Sequence, residues 1–433
     1  MVTRQFIMLA AACLAACGAP EPPRATGGTD VQAGPRGRGF ALVMSDYQST
    51  NIALLDSEGK TLSGSFLSSA SAPLGLSVPL SGDVVLPNTL QLGPELVFID
   101  RYPAALLTIV DVATASVTAQ IDVGTEFRAN PQDVLVDGDT LWVSRYETNP
   151  KAGASPFDEG GDVLIVDRTE GQPVARVDLG VALADEPGFW PRPGRMVTDG
   201  DRVFVLLAAY DSTFQSAADS RLVVIDIATR KIVETHVLTG LAGCAALAIE
   251  PPITDDGLPN ARRRLVVGCS GRFNGTSKPT LFDSGLALLE ASDAGLVELR
   301  RWAADALFER PVGFDLALDG GGRALVATLG HLGESGGAAR ADALVEVELD
   351  GDRSRIVLET AGRPFELGGV RCASLAEPTS VDSPSDAGAA CLVADGSVGV
   401  LWRLERGPDG YVPVVAIEPE HAVGLPPRWL GRF

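Results

Sequence analysis

One short pattern recurs along this chain and leaves few folds open. It is an apolar run closed by an acid: Ile52-Ala53-Leu54-Leu55-Asp56, Leu107-Thr108-Ile109-Val110-Asp111, Val163-Leu164-Ile165-Val166-Asp167, Leu222-Val223-Val224-Ile225-Asp226 and Leu286-Ala287-Leu288-Leu289-Glu290. Weaker copies end at Glu348 and Glu405, which makes seven. Runs this short, rich in Val, Ile and Leu and bounded by turn residues, form strands rather than helices. Self-similarity at this spacing marks a repeat architecture, in which each unit buries its apolar face against the next.

A second run precedes the first in each unit. Leu42-Val43-Met44-Ser45-Asp46-Tyr47, Val97-Phe98-Ile99-Asp100-Arg101-Tyr102 and Leu141-Trp142-Val143-Ser144-Arg145-Tyr146 share one shape, and Val203-Phe204-Val205 leads more loosely to Tyr210. Four of the five tyrosines therefore occupy one repeat position. Asp137-Gly138-Asp139, Asp199-Gly200-Asp201 and Asp319-Gly320 read as hairpin turns, where Gly or Asp tolerates a left-handed backbone. A unit of roughly 45 to 60 residues with four strands is a propeller blade. The expected fold is all-β: a seven-bladed β-propeller of four-stranded antiparallel blades filling residues 39–433, set against a sandwich array or an irregular solenoid.

The chain resembles the seven-bladed propellers of the YVTN-repeat, surface-layer type over nearly all of residues 38–433. Trp142-Val143-Ser144 stands roughly where that family writes Tyr-Val-Thr, and Leu164-Ile165-Val166-Asp167 where it writes a strand ending in Asp. The first unit begins directly at its second strand. The C-terminal Pro427-Arg428-Trp429-Leu430-Gly431-Arg432-Phe433 looks like a strand start such as Pro193-Gly194-Arg195-Met196-Val197. This tail is expected to supply the innermost strand of the first blade, beside Phe40 to Ser45, and so to close the ring.

Cys244 and Cys372 fall on first strands of the fifth and seventh units, Cys269 and Cys391 on the second strands beside them. Neighbouring antiparallel strands bring such residues into bridging range, so Cys244–Cys269 and Cys372–Cys391 are the expected disulfides. Their spacing matches no zinc motif.

The N-terminus carries an address. A short basic start ending at Arg4 and a brief apolar run from Phe6 to Ala12 precede Leu14-Ala15-Ala16-Cys17, which resembles a bacterial lipobox. The resemblance implies a signal peptide over residues 1–16 and lipidation of Cys17. Acyl chains would then hold the protein stably on a membrane. Gly18, in place of Asp, resembles lipoproteins sorted to the outer membrane, facing the periplasm or the cell surface. The Pro-, Gly- and Ala-rich stretch that completes residues 17–38 reads as a flexible tether.

A formal charge of −21 argues against nucleic acid and against direct adsorption to anionic lipid. Attention goes instead to the long connections between second and third strands: residues 145–162, 208–221, 270–285 and 330–342. Connections this long are usually functional when ordered, and their common repeat position places them on one face. The expected binding face holds Tyr47, Arg101, Tyr102, Arg145, Tyr146, Asn149, Tyr210 and His331, with Arg128 and Trp190 from connections between blades. Tyr and Arg are frequent interface anchors, although a repeated Tyr also serves blade packing, and Arg101 and Arg145 are expected to pair with acids such as Asp100 or Glu147.

Catalytic signals are sparse. Of the three histidines, His236 falls on an outer strand and His331 alone, in a rim loop, is placed to act as a base or metal ligand; the third is His421. Asp158, Glu159 and Asp162 cluster in another rim loop. No nucleophile elbow, phosphate loop or haem-attachment motif occurs, and neither a cofactor nor a metal site is expected. The sequence thus points to a monomeric, membrane-anchored, non-catalytic scaffold that recognises a protein or envelope polymer; its rival is a periplasmic metal-dependent hydrolase or lactonase.

Overall fold

Each acid-terminated run is the third strand of a four-stranded antiparallel sheet, and seven such sheets form a ring. The structure is a computed structural model that describes residues 28–32, 37–250, 263–272, 281–332, 340–373, 390–419 and 424–433. The proposed leader, Cys17, His421 and parts of the rim loops lie outside the described residues. Blade three is representative, with Pro131–Asp137 innermost, then Thr140–Thr148, Gly160–Asp167 and, outermost, Gln172–Asp178. The strands run further into the second-to-third connection than their sequence pattern suggests, because Thr148 still pairs with Gly160.

The acid that ends the third strand has a local role. Asp111 accepts from the backbone N–H and hydroxyl of Thr114, and Asp226 from those of Thr229. Asp56 and Asp167 likewise receive backbone N–H groups of the following turn. The carboxylate thus closes the hairpin into the fourth strand, which is why an acid recurs there.

The ring closes with the C-terminal strand. Pro427–Arg432 pairs antiparallel with Gly39–Ser45, setting Arg432 opposite Phe40 and Leu430 opposite Leu42. Phe433 is fully buried beyond it. Apolar side chains fill the contact between each blade and the next. Phe66, Phe98 and Phe433 pack between blades one and two, and Phe40, Leu42, Leu392 and Leu430 between blades seven and one. The core is therefore divided among the interfaces of the ring instead of gathered at a centre.

Both expected disulfides are present. Cys244 lies directly opposite Cys269, and Cys372 opposite Cys391, each bridge joining the first and second strands of its blade.

Blade two departs from the others. Its innermost strand is only Val84–Val85, after which the chain leaves the sheet and enters the axis of the ring. There Asn88 bonds to several blades at once. Its backbone N–H donates to Asp133 Oδ1 (2.9 Å), and its amide donates to the carbonyls of Leu247 (2.8 Å) and Met196 (3.4 Å). Its amide oxygen accepts from Arg371 (3.3 Å). Segment 86–91 thus plugs the axis, and its Leu86 carbonyl accepts from Arg195 of the cavity beyond it.

Candidate binding site at the axial mouth

Above the plug, the starts of innermost strands and the ends of second strands enclose a cavity of about 410 Å³. Six of the seven blades line it. Tyr47, Arg101, Tyr146 and Tyr210 of the expected face are among the lining residues, beside Asp83, Gln132, Arg192, Arg195, Phe314 and Trp429.

The side chains are fixed by their neighbours. Arg101 donates from Nε to Asp83 Oδ1 (3.1 Å) and from a terminal nitrogen to Gln132 Oε1 (3.2 Å). Its partner is therefore Asp83, not Asp100, whose buried carboxylate is taken up by Ser81. Burial pushes the carboxyl of Asp100 above its usual range. Arg192 is fully buried, pairs with Glu147 and lies over three rings: Phe214 (4.0 Å to the centroid), Trp190 (4.8 Å) and Tyr146 (5.2 Å). Tyr146 stacks on Phe214 with the planes only 6° apart, and burial raises the hydroxyl pKa of Tyr146. Tyr210 packs against Phe214 at 5.8 Å and donates to the carbonyl of Gly271 (3.4 Å); burial raises its hydroxyl as well. Tyr146 and Tyr210 thus combine the two roles open to a repeated tyrosine, since they pack between elements and border the cavity.

Trp429 of the closing strand is approached by two guanidinium groups, its ring centroid 5.8 Å from Arg101 and 5.9 Å from Arg195. Tyr47 and Phe314 are the exposed aromatics of the mouth, at 56% and 46%. Arg428 covers one face of the Tyr47 ring at 5.2 Å.

The remaining residues of the expected face lie elsewhere. Tyr102 and Arg128 form a pair on the rim, the guanidinium over the ring and bonded to the phenol oxygen. Trp190 stands behind Arg192. Arg145 is fully buried and points into its own blade. It makes two bonds to Asp162 (2.8 and 2.6 Å) and others to Thr125 and the Phe157 carbonyl, so neither Glu147 nor the cavity is its partner. The charge cannot be left unpaired in the core, and Asp162 is the acid one strand across from it. Asn149 bonds to the Asp158 carbonyl and orders the loop that holds it.

The acids of that loop are likewise engaged. Asp158 accepts backbone N–H groups from Gly153, Ala154 and Ser155, with Gly153 doing most to hold its carboxyl below the usual range. Glu159 and Asp162 face Arg176. His331 bridges to Arg340 through the backbone and contacts the Leu332 carbonyl with its ring. His236 lies on the outermost strand of blade four, Lys231–Val237. Among the described residues, no three His, Cys, Asp or Glu side chains are grouped to hold a metal ion.

Arg192, Arg195, Phe314 and Trp429 were not anticipated, because first strands carry no strong repeat signature. One signal was available. Pro131-Gln132-Asp133, Pro193-Gly194-Arg195 and Pro427-Arg428-Trp429 align as strand starts, and the third residue of each converges on the axis.

No protein-family model and no curated protein matches the chain. Solved structures do. A candidate 6-phosphogluconolactonase from Bacteroides fragilis is 12% identical, with 92% of this chain and 99% of that chain covered at a TM-score of 0.51. Another from Bacteroides uniformis is 14% identical, with 91% and 99% covered and the same TM-score of 0.51. At such identity the likeness concerns the propeller fold alone.

Proposed function

We propose that this protein is a membrane-anchored, non-catalytic binding scaffold that receives a protein or envelope polymer at the axial mouth of its long-loop face. The observation that carries the reading is convergence: six blades contribute to one cavity, and Arg101, Arg192 and Tyr146 are held in place by Asp83, Glu147 and Phe214. Preorganised polar groups around an apolar, aromatic wall suit recognition, because little side-chain entropy remains to be lost on binding. The names of the two fold neighbours suggest a lactonase, but neither His331 nor the acids of residues 158–162 line this cavity.

The anchor belongs to the same proposal. Lipid on Cys17, followed by the tether, would hold the propeller clear of an outer-membrane surface. Cys17→Ala should abolish labelling by a palmitate analogue and release the protein into the soluble fraction; unchanged labelling would remove the anchor.

The scaffold itself is tested by cross-linked affinity capture of the mature protein from its own cells. A variant carrying Tyr47→Ser and Phe314→Ser runs beside it, since both side chains are exposed and dispensable to the core. A partner held by the native protein and lost from the folded variant is the expected result. Equal capture by both would move the site away from the mouth. Turnover of lactone substrates by the native protein, lost in the same variant, would favour an enzyme.

A further inference from the structure

Three arginines line the mouth, and two of them are paired: Arg101 with Asp83 and Arg192 with Glu147. Arg195 differs. It is 8% exposed, yet its guanidinium donates one hydrogen bond among the described residues, to the carbonyl of Leu86 at 3.1 Å. No described carboxylate lies within ion-pair distance of it. Asp133 is close enough to favour its charge, but the Asp133 oxygens are occupied by the backbone N–H groups of Asn88 (2.9 Å) and Met196 (2.8 Å). Asp315, the other acid that favours it, is bound by both oxygens to Arg371.

A guanidinium has five N–H donors in a planar fork. Burying one with most of its donors unused is costly unless an acceptor arrives. Burial lowers the pKa of Arg195, with Asp133 and Asp315 opposing that shift, which accords with a cation short of direct partners. Beside it the Trp429 ring offers a flat apolar wall.

We propose that the mouth is a carboxylate-binding subsite, taking the acid group of a ring-bearing organic anion against Arg195 and its ring face against Trp429. This rests on the reading of the mouth as the binding site and names the chemistry of what enters it. Charge-assisted, bidentate hydrogen bonds would fix the acid, and the indole face would hold a sugar or aryl ring by stacking. A cavity of about 410 Å³ accepts a molecule of this size.

The test is titration of the full-length mature protein with sodium glucuronate, with benzoate and, as the neutral counterpart, with glucose, read by calorimetry and tryptophan fluorescence. Saturable binding of at least one acid, with glucose at least about tenfold weaker, is expected. Glucuronate alone binding would identify a sugar acid, and benzoate alone an aryl acid. Arg195→Gln should weaken the bound acid by about tenfold or more at an unchanged melting temperature. Should that variant fail to fold, the guanidinium ¹⁵N resonances of the native protein serve instead, and one arginine set should shift on titration. Glucose binding as well as the acids, an Arg195→Gln variant binding normally, or no acid binding at about 10 mM would each overturn the subsite. A partner captured through the mouth in that event would leave the scaffold reading standing.

Discussion

The side-chain amide of Asn88, on a segment belonging to blade two, donates to the backbone carbonyl of Leu247 in blade five at 2.8 Å. The same side chain reaches Met196 and accepts from Arg371, so one residue ties four blades together with its own. Asn88→Ala removes the amide bonds to two carbonyls and one of the acceptors of Arg371, which keeps Asp315. It should cost about 2–3 kcal/mol, seen as an earlier urea midpoint with an unchanged slope.

Arg145 and Asp162 form a fully buried ion pair. Arg145→Ala should lower stability by about 3–5 kcal/mol, because Asp162 is left charged in the core. Ligand capture by whatever fraction remains folded should be unaffected. Loss of capture in a variant with native stability would show that the residue acts at the mouth after all.

The closing strand holds the ring. Deleting residues 426–433 removes the buried Leu430 and Phe433 and exposes the edge of Gly39–Ser45. A sharp fall in melting temperature is expected, and Leu430→Ala alone should cost about 2–5 kcal/mol. An unchanged melt in the truncated protein would refute closure.

Reduction of the two disulfides opens loops of 25 and 19 residues in sequence separation. On the chain-entropy picture each contributes about 3 kcal/mol. Single Cys-to-Ser pairs in blades five and seven should therefore lower the thermal midpoint by similar amounts, measured without reductant.

The turn acids set part of the acid response. Hydrogen bonds from Thr114 hold the Asp111 carboxyl below its usual value of 3.8, and those from Thr229 do the same for Asp226. The folded pKa is depressed, so their contribution is full above the unfolded value and is lost as pH falls through the folded one. Asp111→Asn should lower stability slightly at neutral pH and match the native protein at the acid end, which flattens the loss of stability below about pH 4. An identical acid limb in the variant would deny the turn its part.

The ring was legible because its third strands are nearly continuous apolar runs ended by a functional turn cap, so one signal repeats seven times. Closure was legible too, since Pro427-Arg428-Trp429 shares a form with Pro193-Gly194-Arg195. The mouth was visible through Tyr47, Arg101, Tyr146 and Tyr210, the tyrosines standing at a repeat position and Arg101 one residue before it. Arg145 shares that register as surely as Arg101, yet one turns into its blade and the other toward the axis. The difference lies in which acid each meets, Asp162 beside one and Asp83 beside the other. Those partners come from different strands and loops, and a repeat pattern does not record them. The axial plug left no trace at all, because Leu86-Pro87-Asn88-Thr89 departs from the repeat.

Because Ser45 and Arg428 meet across 383 residues of chain, the strand that clasps the ring also furnishes Trp429 to the mouth. A chain whose ends fail to dock would lose one wall of its pocket together with its clasp. Ligand capture would then report on ring closure itself: only a ring that has met its own beginning could hold what enters it.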